Sequence, residues 1–254
     1  MRLYKIIFSP TGGTEKVANQ LVQSFGGETD TIDLTDFAAE FHQISFSEED
    51  LCIVAVPSFG GRVPGAAAAR LGALKANGAR AILIAVYGNR AYEDTLLELK
   101  TILTDSGFRC IAAVAAVAEH SIMHQFAQGR PDKSDLEQLA QFGKEIRRRM
   151  EENLVTEDLV LPGNRPYREY NGVPIKPSAK KSCTNCGLCA KKCPVQAIPL
   201  DDPSKTDHEA CISCMRCVSI CPTHSREVSK ILTTIAANKM KKICSERKEN
   251  ELFM

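Results

Sequence analysis

The chain has 254 residues, 44% of them hydrophobic, and a formal net charge of +1. That is length for one large domain plus a small one, with enough apolar content for a full-sized core. The near-neutral charge excludes a global field of the kind that gathers nucleic acid or an anionic membrane surface. Met1-Arg2-Leu3-Tyr4-Lys5 runs straight into a strand pattern, without the charged and apolar regions of a signal peptide. The longest apolar stretch, Ile111 to Ala118, is far too short for a membrane span. A soluble, cytoplasmic protein is expected.

Leu3 to Phe8 reads as a strand, followed by a Gly/Thr turn and an amphipathic helix from about Thr14 to Phe25. Leu51 to Val56 is a continuous apolar run with a helix from Ala66 to Ala76 after it. Ala81 to Val86 is another, with a helix from Tyr92 to Thr104. Phe108 to Ala118 is an Ala/Val-rich strand. Ser134 to Met150 is a helix, and Ser134 with Glu137 matches a capping box. Continuous apolar strands between helices predict a parallel sheet covered on both faces. Five such strands make an open, doubly wound α/β domain over residues 1–152, with ligands at the carboxyl ends of its strands.

Residues 153–178 are a Pro-rich linker, broken by Pro162, Pro166, Pro174 and Pro177 and anchored by Tyr167, Tyr170 and Val173. Residues 179–224 are a cysteine module. Residues 225–254 are a tail in which Val228, Ile231, Leu232, Ile235, Met240 and Ile243 predict a helix packed back on one of the domains.

The module holds two copies of one run. Cys183-x-x-Cys186-x-x-Cys189-x-x-x-Cys193-Pro194 is followed by Cys211-x-x-Cys214-x-x-Cys217-x-x-x-Cys221-Pro222. Thiolates are soft ligands that suit iron–sulfur clusters, and this is the spacing of bacterial two-cluster sites, where the fourth cysteine of each run binds the other run's cluster. One [4Fe–4S] cluster then takes Cys183, Cys186, Cys189 and Cys221; the other takes Cys211, Cys214, Cys217 and Cys193. A pair of zinc knuckles would use two C-x-x-C pairs instead. Lys180, Lys181, Lys191, Lys192 and Arg216 flank the runs, to offset cluster charge or to dock an acidic partner. The segment resembles a bacterial two-cluster ferredoxin, of small α+β fold, which implies single-electron transfer.

The turn after the first strand carries Ser9, Thr11, Gly12, Gly13 and Thr14 at a helix start, where backbone N–H groups and hydroxyls suit a phosphate. It is neither a Walker loop nor G-x-G-x-x-G. Two later strand ends put an aromatic beside glycine: Ser58-Phe59-Gly60-Gly61, and Gly88-Asn89 through Tyr92. This set resembles flavodoxins over about residues 1 to 150. The resemblance implies FMN, with its phosphate on the first turn, Phe59 and Tyr92 against its ring, and Gly60, Gly61, Gly88 and Asn89 along its edge. Flavodoxins often carry Trp at the first aromatic position; this chain has no Trp. The whole arrangement resembles flavodoxin–ferredoxin fusion proteins of anaerobic microbes, which implies an electron carrier working with redox partner proteins.

His120 and His124 follow the fifth strand, within reach of the same sheet edge. As a proton donor, either would suit the alternative of a reductase acting on a small molecule over the flavin. Arg130 is expected to pair with Asp132. Cys52, Cys110 and Cys244 are expected to be packing thiols.

Overall fold

β1 (Leu3–Ile7) leads through a tight turn into α1 (Gly13–Gln23), and β2 (Thr29–Asp33) follows. Three further units succeed it: β3 (Leu51–Pro57) with α2 (Gly65–Gly72), β4 (Arg80–Tyr87) with α3 (Thr95–Asp105), and β5 (Arg109–Val117) with α4 (Lys133–Glu151). The computed structural model describes residues 2–156 and 158–254. The strand order β2-β1-β3-β4-β5 is parallel throughout. That is the doubly wound, flavodoxin-like order, whose ligand crevice lies beyond the strands' carboxyl ends where the order reverses.

Alternate strand residues point to opposite faces, and each face has its own apolar layer. Ile6, Phe8, Val54, Val56 and Leu83 pack with Leu71 of α2 and Leu96, Leu99 and Leu103 of α3. Ile7, Ile53, Ile82, Ile84 and Val114 pack with Val17 and Leu21 of α1 and Leu139 and Ile146 of α4. Burial on both faces explains why the strands read as unbroken apolar runs. β2 is the exception: Thr-Asp-Thr-Ile-Asp is an exposed edge strand, so no apolar run marks it.

The cap of α4 is Asp132, not Ser134. Its carboxylate accepts from the Asp135 N–H and the Asp135 side chain reciprocates, two residues earlier than Ser134 with Glu137 would place it. Arg130 likewise pairs with Asp135 rather than Asp132, through bonds of 2.8 and 2.5 Å, because Asp135 is fully buried beside it. Asp132 pairs instead with Arg247 of the tail at 2.8 Å.

Beyond α4 the chain runs without regular structure along the α3 side. Leu159 and Leu161 join the core there, and Tyr167 Oη meets Thr101 Oγ1 at 2.8 Å. The cysteine segment holds a two-residue antiparallel ladder, β6 (Ser178–Ala179) with β7 (Arg226–Glu227), and two single-turn helices, α5 (Leu188–Lys191) and α6 (Arg216–Ser219). In α7 (Lys230–Cys244), Ala236, Ala237, Met240 and Cys244 pack on Ile122, Met123 and Phe126. Ile231, Leu232, Ile235 and Ile243, also expected to pack, are exposed. The last segment, β8 (Glu251–Phe253), pairs antiparallel with β5 as a sixth strand, so the tail completes the sheet of the first domain. Among the described residues no helix is long and apolar enough to cross a membrane.

Candidate functional site: two adjoining cavities

A cleft of about 780 Å³, its open mouth included, lies at the carboxyl ends of β1, β3, β4 and β5. Thr11, Gly13 and Thr14 form its β1 wall. Gly12 caps α1 with φ +89°, a left-handed conformation that glycine adopts without strain. Ser9 Oγ accepts from the Glu15 N–H at 2.9 Å. The N–H groups of Gly13 and Thr14 belong to the first turn, which has no acceptors within the helix, and so suit an anion.

Ser58, Phe59 and Gly60 form the wall after β3. The Phe59 and Arg62 backbones exchange bonds of 2.9 and 3.2 Å around Gly60 and Gly61, with φ +61° and +86°. Two positive φ angles in succession make Gly-Gly the fitting pair. Arg62 anchors the turn through a bidentate pair with Glu98 at 2.8 and 2.7 Å. Gly88 lies after β4; a Cβ there would stand 2.8 Å from the His120 ring, so glycine lets that ring close on the backbone.

Three expected ring contacts lie elsewhere. Asn89 is buried, and its amide donates to the Cys244 and Glu246 carbonyls at 2.8 Å each, so it fastens the tail. Tyr92, half-buried, packs edge-on against Tyr87, with centroids 5.2 Å apart, at the margin of the core. Gly61 serves the turn and faces Glu93 and Arg168. Besides Phe59 and Tyr87, the cavity is lined by Tyr170 of the linker. Its ring covers Gly60 so closely that a Cβ on that glycine would lie 2.2 Å from Tyr170 Cδ2. Val173 joins it. Aromatic character in the linker was legible in the sequence; its return across a β3 glycine was not.

His120 lines the cavity with Glu119, Ser121 and Ile122. Its Nδ1 accepts from the Ile122 and Met123 N–H groups at 3.1 and 3.3 Å, which puts the neutral ring's proton on Nε2. Burial, with His124 and Arg90 nearby, lowers its pKa to about 4. His124 turns outward to Glu119 at 2.7 Å.

The remaining wall comes from the second cysteine run: Ile212, Ser213 and Cys214. Behind it lies a smaller cavity whose lining includes Cys193, Cys211, Cys214 and Cys217. Those are the four cysteines that the spacing assigns to one cluster. Ile212 and Cys214 line both cavities. Among the described residues no three His, Cys, Asp or Glu side chains converge tightly enough to hold a single ion. Of the other four, Cys189 is buried, Cys183 and Cys221 are half-buried and Cys186 is exposed.

The surroundings fit anionic, thiolate-held clusters. Backbone N–H groups of Ala197, Ser213 and Ser225 donate to the sulfurs of Cys193, Cys211 and Cys221 at 3.3, 3.4 and 3.2 Å. Among the described residues, Arg216 Nε and Arg226 Nε are buried without a hydrogen-bond partner. Burial pushes the thiols of Cys214 and Cys217 up to about 12, so at neutral pH they keep their protons until a strong cationic centre such as iron binds the sulfur and releases the proton to solvent. Burial also pushes Cys221 up, but hydrogen bonds from Thr223, Ser225 and Arg226 outweigh it and hold that thiol below its ordinary value.

Both domains are pinned together at this point. Arg216 Nη1 donates to the Ser9 carbonyl at 3.4 Å, and Arg70 Nη2 to the Pro194 carbonyl at 2.5 Å, beside Cys193. Lys176 Nζ donates to the Cys211 carbonyl.

Residues 182–225 match the family described as a 4Fe-4S dicluster domain. No curated protein matches the chain. Among solved structures, the chain is similar to a flavodoxin of Streptococcus pneumonia TIGR4, at 23% identity and TM-score 0.42, over 58% of this chain and 99% of that one. It is similar to the apo form of the NADH:FMN oxidoreductase EMOB, at 18% identity and TM-score 0.43, over 58% and 88% of the two chains. The two-electron reduced flavodoxin of Megasphaera elsdenii aligns at 16% identity and TM-score 0.38, over 57% and 98%. The strand order itself carries the fold assignment. This chain joins a flavodoxin-like fold to a segment that matches a 4Fe-4S dicluster domain, a combination that supports a redox role.

Proposed function

We propose that this chain relays electrons between a bound FMN and two [4Fe–4S] clusters, and on to partner proteins. One observation carries the reading: Ile212 and Cys214 form a common wall between the cavity suited to a flavin and the cavity ringed by four cysteines. A flavin handles electrons in pairs and each cluster handles them singly, so the two together interconvert pair and single-electron carriers.

The residues divide as follows. Thr11, Gly13 and Thr14 hold the phosphate at the start of α1, with Ser9 and Gly12 shaping that turn. Phe59 and Tyr170 flank the ring, and Gly60 and Gly88 let it approach the backbone. Cys193, Cys211, Cys214 and Cys217 hold the near cluster. Cys183, Cys186, Cys189 and Cys221 hold the far one, where exposed Cys186 and the exposed Lys181, Lys191 and Lys192 offer a partner protein a basic rim. Holding both redox modules on one chain raises the effective concentration of each for the other. Reduced thiols and clusters point to a cytoplasmic setting.

The reductase reading has His120 at the cavity wall in its favour. A ring whose pKa is about 4 is neutral at pH 7, however, and offers the Nε2–H as a hydrogen bond rather than as a strong acid. His124, paired with Glu119 at the surface, is not in the cavity lining.

Anaerobic purification with iron, sulfide and flavin analysis tests the proposal. About eight irons and one FMN per chain are expected. Photoreduction of the flavin should then bring up the cluster signals in electron paramagnetic resonance without a mediator. Zinc in place of iron, or a flavin that reduces while the clusters stay oxidised, overturns it.

A further inference from the structure

Among the described residues, the only buried side-chain nitrogens or oxygens without a partner are Arg216 Nε and Arg226 Nε. Arg216 has Asp33 at 3.9 Å. Arg226 is 3% exposed, and every acceptor found for its guanidinium is a neutral oxygen. Nη1 donates to Thr206 Oγ1 at 2.5 Å; Nη2 donates to the Pro203 carbonyl and, at 3.0 Å, to that of Lys205. A cation in such a place, with no anion against it, is expensive to bury.

Its surroundings show where the anion belongs. The Pro203 carbonyl that takes the Nη2 bond also faces the Cys189 sulfur at 3.9 Å. Thr206, which takes the Nη1 bond, lines the cavity that holds Cys217, and the neighbouring Ser225 N–H donates to Cys221 Sγ at 3.2 Å. Cys189 and Cys221 belong to the far set and Cys217 to the near one. The ladder between Ala179 and Arg226 ties this residue to the strand that leads into Cys183. The side chain therefore stands between the two sets.

We infer that Arg226 is the shared counter-charge of the two clusters, a positioning residue that raises the reduction potential of both. The inference rests on reading the two cysteine sets as cluster ligands. Each cluster gains one negative charge when it accepts one electron, and the flavin or a donor protein loses that electron; no bond or proton moves at the arginine. A fixed cation favours the more anionic, reduced form. A guanidinium does not deprotonate, so the effect does not follow pH. Because the group is buried, added salt screens it little.

The test uses the full chain, loaded anaerobically, as wild type, Arg226→Gln and Arg226→Lys. Iron and sulfide per chain are measured first, then both potentials by redox titration followed by electron paramagnetic resonance. With full iron content, Arg226→Gln should lower the reduction equilibrium constant of both clusters at least about tenfold, which is about 59 mV for a one-electron couple. Arg226→Lys should retain most of the wild-type value. Wild-type potentials in a fully loaded Gln variant, or a shift confined to one cluster, overturn the inference and leave the cluster reading standing. If the Gln variant fails to load, rescue by Lys supports the charge role. Failure of both variants overturns it, because the hydrogen-bonding fork is then what matters. A wild-type chain without iron defeats the cluster reading itself.

Discussion

The α/β domain and the cysteine segment are held together by different forces. The first buries two apolar layers, one on each face of its sheet. The second has only a small apolar cluster of its own, Cys189, Ala190 and Ile198, together with two-residue strands and four-residue helices. A piece of chain that small cannot offset its ordering entropy by burial, and needs metal or another staple. Hydrophobic burial is non-directional and tolerates neutral repacking; ligation is local and fails at a single atom. The same division separates the residues that hold the fold from those that set the chemistry.

Stripping iron and sulfide should break this contrast most visibly. Residues 179–227 should lose hydrogen-exchange protection while β3 and β4 keep theirs, since ligand binding is folding free energy for the small segment alone. A segment that stays protected without iron would show that it folds on its own packing.

Within the α/β half, the lock between α4 and the tail is the vulnerable polar element. Asp135 accepts from Arg130, Arg247 and Asn250 and is fully buried. Asp135→Asn should cost about 3–5 kcal/mol in urea unfolding, because it leaves a buried cation short of its partner. A loss below about 1 kcal/mol would mean that the tail contributes little.

His120 gives the α/β half a pH dependence. Its folded pKa of about 4 lies below the ordinary histidine value of 6.5, so the unfolded chain binds the proton first. Stability is full above pH 6.5 and falls as pH drops through the window down to 4, by at most about 3 kcal/mol. Unfolding of the flavin-free chain at several pH values measures it. His120→Gln should flatten the profile, and an unchanged slope would assign the dependence to other groups.

The smallest effect concerns the joint between the halves. Tyr170→Ala should weaken FMN binding about tenfold in a fluorescence titration of the flavin-free chain, the loss of one aromatic contact. Tyr92→Phe should leave binding unchanged, since that ring packs against Tyr87 at the margin of the core. Equal losses from both would put the flavin in a different orientation.

Much of this was readable from local pattern. The apolar runs of β1, β3, β4 and β5 and the Thr/Gly turn before α1 follow from periodicity and turn chemistry, which act over a few residues. β2 escaped because an exposed edge strand needs no apolar run. β8 escaped because three residues carry no period. Asn89 and Tyr92 were misplaced for a different reason: a loop shared by the ligand and the tail can serve either, and the tail took both side chains' surroundings.

By itself, the amino-acid order determined eight thiols at cluster spacing and a parallel sheet buried on both faces, because ligand spacing and side-chain alternation are properties of neighbouring residues. Only the tertiary structure decided that Cys214 stands at the wall of the sheet-edge cavity, that Tyr170 crosses over Gly60 and that the Arg226 guanidinium is buried against the Pro203 carbonyl. Those are meetings of segments far apart in the chain. They depend on how the linker and the tail return to the sheet, and no local pattern encodes that return.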